Sequence, residues 1–258
     1  MNIAAEGLYD LHNHLLFGVD DGAEKLEDTE AMLQDAVKNN IKVIAATPHM
    51  LPRTDMQKYE ANFPEAAALA EKYGIKLLRG GEYNARSFPP EPPYIALGGG
   101  GQGAVLMDFR LPSFPPEFQL CVDNIFNAGY SLIIAHPERT FPESMLPDLE
   151  RLFDSGVVYQ VTAGSVVGKF GREPQRMAFK LLEKGWAKLV ASDAHDDSKR
   201  PSLLLEAYNV IEKRYGAEAA AILQNNARNV IEEPSAPLQP IPVKRHGGGL
   251  FNWLFKRG

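Results

Sequence analysis

Cysteine is almost absent from this sequence, and long apolar runs and a leading signal segment are missing altogether. A single cysteine, Cys121, occurs among 258 residues, so the chain cannot form an internal disulfide bond. No apolar run approaches the roughly 18 residues needed to cross a bilayer. The first ten residues, MNIAAEGLYD, lack the basic region and apolar stretch of a secretory signal. We therefore expect a soluble protein of the cytoplasm.

Positive charge is also scarce over most of the chain, whose net charge is −6. Residues 234–258 carry four basic side chains and no acidic ones, so the first 233 residues hold 23 basic against 33 acidic side chains. Proteins that wrap nucleic acid need a basic surface. We therefore expect no nucleic-acid partner.

Seven short runs rich in apolar and β-branched residues predict β-strands. They lie at residues 8–11, 41–47, 75–81, 104–109, 130–136, 157–162 and 187–193. Apolar residues three or four positions apart predict helices at residues 27–40, 117–129, 146–156, 172–185, 202–216 and 217–232. Alternating strands and helices favour parallel βαβ units, and seven in series favour an α/β fold of the closed (β/α)7 barrel type.

Two segments depart from this alternation. Residues 85–103 have prolines and glycines where a helix is expected. Residues 234–258 begin with a stretch rich in proline and glycine, which predicts a linker and no packed element. We therefore predict one barrel domain over residues 1–233, and a linker with a short basic, amphipathic tail over residues 234–258.

Side chains that bind metals stand at the ends of the predicted strands. In a (β/α) barrel the C-terminal strand ends open onto one face, where active sites lie. Five of the six histidines are found there with several acidic residues: His12, His14, Asp20, Asp21, His49, Glu82, Asp108, His136, Asp193 and His195. A lone histidine at a strand end is usually structural, but so many ligands at one face indicate a metal centre.

His12 and His14 are the clearest pair in this set. Two residues apart in an extended strand, they point to the same side and can reach one ion. Mixed imidazole and carboxylate ligands suit zinc, manganese or iron, and the set exceeds what one ion can use. Asp20 is better explained as a turn residue than as a ligand. We therefore expect more than one metal ion.

Four short strings resemble those of the PHP (polymerase and histidinol phosphatase) superfamily: DLHNH (10–14), TPH (47–49), AHPER (135–139) and SDAH (192–195), in this order. The fuller string DLHNHLLFGVDDGA, and the RP pair after SDAH, are similar to the bacterial manganese-dependent tyrosine phosphatases of the CpsB/CapC type in capsule synthesis. The resemblance spans residues 8–231. It implies a distorted seven-stranded barrel that binds three divalent ions, manganese above all, with iron or zinc as alternatives.

The resemblance also distributes the ligands over three ions. It assigns one ion to His12, His14, Glu82 and Asp193, a second to Glu82, Asp108 and His136, and a third to Asp21, His49 and His195. Glu82 would then bridge two ions. The family usually has glutamate at position 108, so the shorter Asp108 makes the second ion the weakest part of this prediction.

A centre of this kind would attract and hydrolyse a phosphate ester. Three divalent ions, four carboxylates and a bridging hydroxide leave a charge of about +1, and the hydroxide is placed to attack phosphorus in line. Arg139 follows His136 by three residues, and Arg200 precedes Pro201 at a predicted helix start. The resemblance assigns both arginines to phosphate binding, for which their forked donors are suited. A surface ion pair is the alternative for each.

Other phosphatase chemistry is less well supported by the sequence. A cysteine-dependent mechanism is excluded, because Asn127 stands six residues after Cys121, where that mechanism requires an arginine. No general acid can be identified. The glycine-rich segment 161–171 is compatible with a simple turn or with a phosphate-binding loop.

We therefore predict a metal-dependent protein-tyrosine phosphatase that hydrolyses phosphotyrosine in capsule or exopolysaccharide synthesis. The ligand set indicates hydrolysis, whereas the resemblance implies the phosphotyrosine substrate, on a membrane-associated bacterial tyrosine kinase or a related component. The alternatives are a small-molecule phosphatase such as histidinol phosphatase, a phosphodiesterase, and a non-enzymatic metal-binding scaffold domain.

The end of the chain suggests where the enzyme works. It combines apolar with basic side chains: Leu250, Phe251, Trp253, Leu254 and Phe255 with Lys244, Arg245, Lys256 and Arg257. This combination favours the surface of an anionic membrane, which would place the protein at the inner face of the cell membrane. A tail that folds back onto the barrel or stays disordered is the alternative.

Overall fold

The structure, a computed structural model, describes residues 7–98 and 103–243. Within these ranges the strands are β1 (Leu8–Asn13), β2 (Ile41–Ala46), β3 (His49–Met50), β4 (Lys76–Arg79), β5 (Glu82–Asn84), β6 (Ala104–Asp108), β7 (Ser131–Ala135), β8 (Val158–Thr162) and β9 (Ala187–Ala191). The α-helices in the same ranges are α1 (Leu26–Lys38), α2 (Met56–Lys72), α3 (Phe118–Asn127), α4 (Pro137–Thr140), α5 (Leu146–Asp154), α6 (Ala163–Val167), α7 (Arg172–Glu183), α8 (Leu204–Tyr215) and α9 (Ala217–Glu232).

The strands form two parallel sheets. Their orders are β1-β2-β4 and β3-β5-β6-β7-β8-β9, and all the strand pairs described are parallel. Every residue of β1 and β6 is buried, as expected for parallel strands that are covered on both faces. The predicted α/β fold with parallel strands is therefore confirmed.

The second and third predicted strands, 41–47 and 75–81, are found as β2 and β4, and each is followed by a further short strand, β3 or β5, that belongs to the other sheet. β2 ends just before Thr47 and Pro48, and proline has no N–H to donate to a strand ladder. β4 ends before Gly80 and Gly81. A Cβ on Gly80 would lie 2.8 Å from Thr47 Cγ2, and one on Gly81 would lie 2.5 Å from Met50 Cγ. The segments that follow β2 and β4 therefore approach each other so closely that only glycine fits at positions 80 and 81.

Hydrogen bonds connect the end of β1 to the segment after β9. Asp193 N donates to His12 O at 2.8 Å, and His14 N donates to Ala194 O at 2.9 Å. The first and last strands are thus neighbours at their C-terminal ends. Because the strands still form two separate sheets, closure into one seven-stranded barrel stays a prediction.

The helices pack around the strands with their apolar faces inward. The six predicted helices are confirmed as α1, α3, α5, α7, α8 and α9. Helix α2 was not among those predicted, and it supports the end of β4, because the Tyr59 hydroxyl donates to Gly80 O at 3.1 Å. The described part of segment 85–103 contains no helix, as expected.

Residues 234–243 lie against the domain without forming a helix or strand. The Asn226 side chain donates to Gln239 O at 2.7 Å and accepts from Gln239 N at 2.9 Å, while Ile241 is buried. The domain boundary at residue 233 stays a prediction, and the predicted membrane-binding residues 244–258 lie outside the described residues. Among the helices that are described, none has the length and apolar character needed to span a membrane.

Candidate metal centre

The predicted ligands meet at the C-terminal ends of the strands. A cavity of about 320 Å³ is lined by Asp21, His49, Asp108, His136, Asp193 and His195, together with Arg139 and Arg200. The remaining predicted ligands, His12, His14 and Glu82, are almost completely buried and contact residues of this lining. All nine predicted ligands and both predicted arginines are therefore brought together.

Three overlapping groups of these residues have the spacing that a metal ion needs, with one ligand atom from each member within 4.8 Å of the others. The groups are His14, Asp21, His49 and His195; His12, Glu82 and His136; and His12, His14 and Asp193. The first group contains the whole set predicted for the third ion. The other two contain the residues predicted for the first and second ions except Asp108.

The buried pair His12 and His14 shows how the site suits a cation. His12 Nδ1 lies 3.1 Å from Gln160 Oε1, and His14 Nδ1 lies 2.6 Å from Asp20 Oδ2. Because both partners are hydrogen-bond acceptors, each Nδ1 must carry a hydrogen. The two Nε2 atoms then face each other at 3.1 Å. Two neutral imidazoles in this arrangement would oppose their lone pairs, so a cation or a proton must lie between them.

In the metal-free protein a proton can take this place. Burial lowers the pKa of His14, but hydrogen bonds with Asp193 and Asp20 outweigh it and raise that pKa to about 10. The Nε2 hydrogen of a protonated His14 then lies beside both Asp193 Oδ1 and His12 Nε2. A metal ion at this position would have to displace the proton, which makes its affinity depend on pH.

Glu82 occupies the centre of the ligand set. Its carboxylate lies 2.7 Å from His49 Nδ1, 2.9 Å from His136 Nε2 and 3.3 Å from His12 Nε2. Burial raises the pKa of Glu82, but the neighbouring imidazoles, His12 first, hold it well below its usual range. The residue therefore stays ionised, and its position among three imidazoles suits the bridging role that the resemblance implies.

Asp193 connects the histidines to the arginines. Its Oδ1 lies 3.4 Å from Nε2 of both His12 and His14. Its Oδ2 accepts from Arg200 Nη2 at 2.9 Å and from Arg139 Nη1. Burial raises the pKa of Asp193, but the charge of His12 and the other imidazoles hold it well below its usual range. The two predicted phosphate-binding residues are therefore held by a predicted metal ligand.

Asp108 is the least integrated of the predicted ligands. It accepts a hydrogen bond from Asn84 Nδ2 at 3.0 Å, and its other oxygen lies 3.8 Å from Arg110 Nε. None of the ligand groups found in the described residues includes it. Burial and the charge of Glu82 raise its pKa. The weaker second site expected from the shorter side chain stays a prediction.

The turn predicted at Asp20 also has a role in the site. Its carboxylate accepts from Gly22 N at 3.0 Å, as a turn residue does, and also from His49 N at 2.9 Å. Asp20 therefore orients the His14 ring through Nδ1 and the backbone of His49 through its N–H. It is absent from the ligand groups of the described residues.

Three residues of the site were missed in the sequence. Gln160 orients His12, and its signal was a polar side chain inside an otherwise apolar strand. Asp10 is fully buried and accepts from Ser192 N at 2.9 Å and from Asn13 Nδ2 at 3.0 Å. Arg110 lines the cavity beside Asp108. The sequence gives no signal for Arg110, because arginine is common in exposed loops.

The glycine-rich segment 161–171 begins as the short helix α6. A Cβ on Gly164 would lie 2.6 Å from the Phe170 ring, so the glycine allows that ring to pack closely. The Phe170 ring in turn lies 4.8 Å from the guanidinium of Arg139. The segment thus supports an arginine of the site, and Phe170 packing accounts for Gly164, while a phosphate-binding role for the segment stays a prediction.

Comparison with known proteins identifies the family. The family model of capsular polysaccharide synthesis, CpsB/CapC, matches residues 8–232. The chain belongs to the CpsB/CapC family. It is 32% identical over 251 residues to the tyrosine-protein phosphatase YwqE of Bacillus subtilis, covering 92% of this chain and 97% of that protein. It is 25% identical over 242 residues to the tyrosine-protein phosphatase CpsB of Streptococcus pneumoniae, covering 87% and 98%.

A solved structure supports the same relationship. It comes from crystal structures of YwqE from Bacillus subtilis and CpsB from Streptococcus pneumoniae, described as metal-dependent tyrosine phosphatases. The TM-score is 0.76 at 29% identity, with 92% of this chain and 100% of the other covered. The similarity therefore extends over nearly the whole chain.

Proposed function

We propose that this protein is a metal-dependent protein-tyrosine phosphatase of capsule or exopolysaccharide synthesis, acting on a membrane-associated tyrosine kinase or a related component. The observation that carries the proposal is the cavity in which buried imidazoles and carboxylates meet two arginines through Asp193. Membership of the CpsB/CapC family supports the substrate class.

The residues present fit a group of divalent cations. Glu82 is buried and ionised among imidazoles, and the Nε2 atoms of His12 and His14 converge on one point. We assign three ions, manganese with iron or zinc as alternatives, to the nine ligands in the distribution that the resemblance implies. When bound, such ions supply positive charge for the phosphoryl oxygens and the activation of water near neutral pH.

The chain's own residues bind and orient the phosphoryl group. Arg139 and Arg200 share one oxygen of Asp193, which leaves further guanidinium N–H groups to donate to the phosphoryl oxygens. Asp20 and Gln160 fix the ring orientations of His14 and His12. A tyrosine leaving group has a pKa of about 10, so it departs with less help from a general acid than an alkyl alcohol does.

Parallel assays test the proposal against its alternatives. The manganese-loaded protein is assayed with a phosphotyrosine peptide, histidinol phosphate and a dinucleotide. The proposal expects the phosphotyrosine peptide to have the highest kcat/KM. Preference for histidinol phosphate would indicate a small-molecule phosphatase, and preference for the dinucleotide a phosphodiesterase. Metal binding without turnover of any of them, or of a simple aryl phosphate, would indicate a scaffold domain.

The location of the enzyme is a further part of the proposal. We place the domain in the cytoplasm as a distorted seven-stranded barrel, with the tail of residues 234–258 at the inner face of the membrane. Apolar and basic side chains in that tail support membrane contact. Co-sedimentation with anionic vesicles tests it, comparing the full chain with a chain that ends at residue 243, which keeps the packed residues Gln239 and Ile241. Equal binding by both chains, or by neither, would contradict the membrane contact.

A further inference from the structure

A second cavity of about 430 Å³, here called the side groove, adjoins the metal centre. Arg139 and Thr140 line both cavities. The segment after β6 also runs along both, because Arg110 lines the metal cavity and Pro112 lines the side groove. Between these two residues, Leu111 exposes 53% of its surface. A ligand held at the metal centre can therefore continue directly into the side groove.

The side groove combines an apolar wall with hydrogen-bond donors. Its apolar residues are Pro112, Phe141, Pro142, Pro174 and Met177. Its rim carries a cluster in which Arg176 Nη2 donates to Glu143 Oε2 at 3.0 Å and Lys180 Nζ pairs with the other oxygen. Two cations thus share one carboxylate, and Arg176 and Lys180 together offer more N–H donors than Glu143 can accept. Donors remain for a ligand.

The charge around the side groove differs from that of the whole chain. The lining of the side groove balances three basic residues, Arg139, Arg176 and Lys180, against the acids Glu138, Glu143 and Glu173, of which Glu138 is buried and accepts from Thr162 N. The excess of positive charge comes from Lys169 and Arg172 in the adjoining segment 169–180, although the chain as a whole has a net charge of −6. Phe170 connects this basic segment to the metal centre, because its ring lies against Arg139. A locally positive surface beside a negatively charged domain attracts acidic ligands.

We propose, on the basis of the function proposed above, that the side groove binds the residues beside the phosphotyrosine in an acidic segment of the substrate protein. Because Arg139 and Thr140 line both cavities, the neighbours of a phosphotyrosine held at the metal centre would enter the side groove. Its carboxylates would accept from Arg176 and Lys180, and its apolar atoms would pack on the proline-rich wall. Free phosphotyrosine or a small aryl phosphate would not use the side groove.

Kinetics with three substrates test this inference. The manganese-loaded full chain is assayed with p-nitrophenyl phosphate, with a phosphotyrosine peptide flanked by glutamates, and with the same peptide flanked by lysines. The wild-type protein should prefer the acidic peptide. The double variant Arg176→Ala, Lys180→Ala should lose about tenfold in kcat/KM for that peptide, mostly through KM, because charge-assisted hydrogen bonds are removed. Its turnover of p-nitrophenyl phosphate should not change.

Two further variants control this result. Arg151→Ala removes another exposed arginine, which is paired with Asp148 on a helix that does not line either cavity. This variant should keep the wild-type kcat/KM for all three substrates. The charge reversal Arg176→Glu, Lys180→Glu should shift the preference toward the lysine-flanked peptide.

The outcomes separate this inference from the proposed function. If the wild type hydrolyses p-nitrophenyl phosphate but has the same kcat/KM for the two peptides, the inference is wrong and the phosphatase function stands. The same holds if the double variant keeps the wild-type preference. If the wild type hydrolyses none of the three substrates, the inference and the proposed function are both wrong.

Discussion

Arg200 Nη2 donates to Asp193 Oδ2 at 2.9 Å, while the other oxygen of the same carboxylate faces the buried histidines. One aspartate therefore sets both the position of an arginine and the position of the metal ligands. A shift of the arginine would therefore move the metal ligands, and a shift of the ligands would move the arginine, through the Asp193 side chain. The predictions below separate the two contributions.

Removal of one ligand and removal of one arginine should have different effects on metal content. His136→Ala should abolish turnover and lower the metal content, because it removes a predicted ligand. Arg139→Ala should retain the metals and lower kcat by about 100-fold, in the range found when one transition-state hydrogen-bond donor is lost. Elemental analysis of both purified variants, with an aryl phosphate assay, checks this. Loss of metal from the Arg139 variant would show that this arginine has a structural role.

Chelation should lower both activity and thermal stability. Ions that bind only the folded protein stabilise it by mass action, by about 2.7 kcal/mol when their concentration is one hundred times Kd. Exhaustive dialysis against a chelator should therefore lower Tm, and added Mn²⁺ should restore Tm and turnover together. Scanning calorimetry before and after dialysis measures the first effect. Unchanged turnover after verified metal loss would contradict the mechanism.

Asp108→Glu tests the departure from the usual family residue. The extra methylene should let the carboxylate reach the second ion, and so tighten metal binding while activity is retained. Titration of the metal-free variant with Mn²⁺ measures the change. If the variant is inactive with its metals bound, the site is adapted to aspartate, with Asn84 as the fixed partner of its carboxylate.

Asp20→Asn should weaken metal binding although no predicted ligand is removed. His14 Nδ1 and His49 N share Oδ2, whereas Gly22 N donates to Oδ1. An amide that keeps its oxygen on the first two turns its NH2 group toward Gly22 N and removes the negative charge beside His14, so the ring orientations become less well defined. Loss of such a partner typically costs about 10- to 100-fold in metal affinity. Asp148→Asn, at a partly exposed acid on α5, serves as the matched control. Equal Mn²⁺ affinity of the Asp20 variant and the wild type would contradict an orienting role.

Much of this architecture could be predicted from local sequence patterns. Buried parallel strands appear as apolar runs, and the histidines at their ends appear as a series at one face. The short strands β3 and β5, which follow the second and third predicted strands, could not be predicted, because they depend on contacts between distant residues. Gly80 and Gly81 look like an ordinary turn until Thr47 and Met50 are seen packed against them.

The orienting residues were harder to predict for the same reason. Gln160 contacts His12 from a strand that lies 148 residues further along the chain. Asp20 was interpreted correctly as a turn residue, but its contact with the His49 backbone depends on how β1 and β3 are placed. Ligands have a characteristic residue type, whereas the residues that support them are defined only by the tertiary structure.

The bonds between β1 and the segment after β9 have a consequence for synthesis of the protein. Asp10 and Ser192 are joined although they are 182 residues apart. A chain still emerging from the ribosome already exposes His12 and His14, but it lacks Asp193 and His195 until most of the domain has been translated. The complete ligand set therefore exists only after residue 195 has been translated, so the centre cannot be fully loaded before β9 has been synthesised.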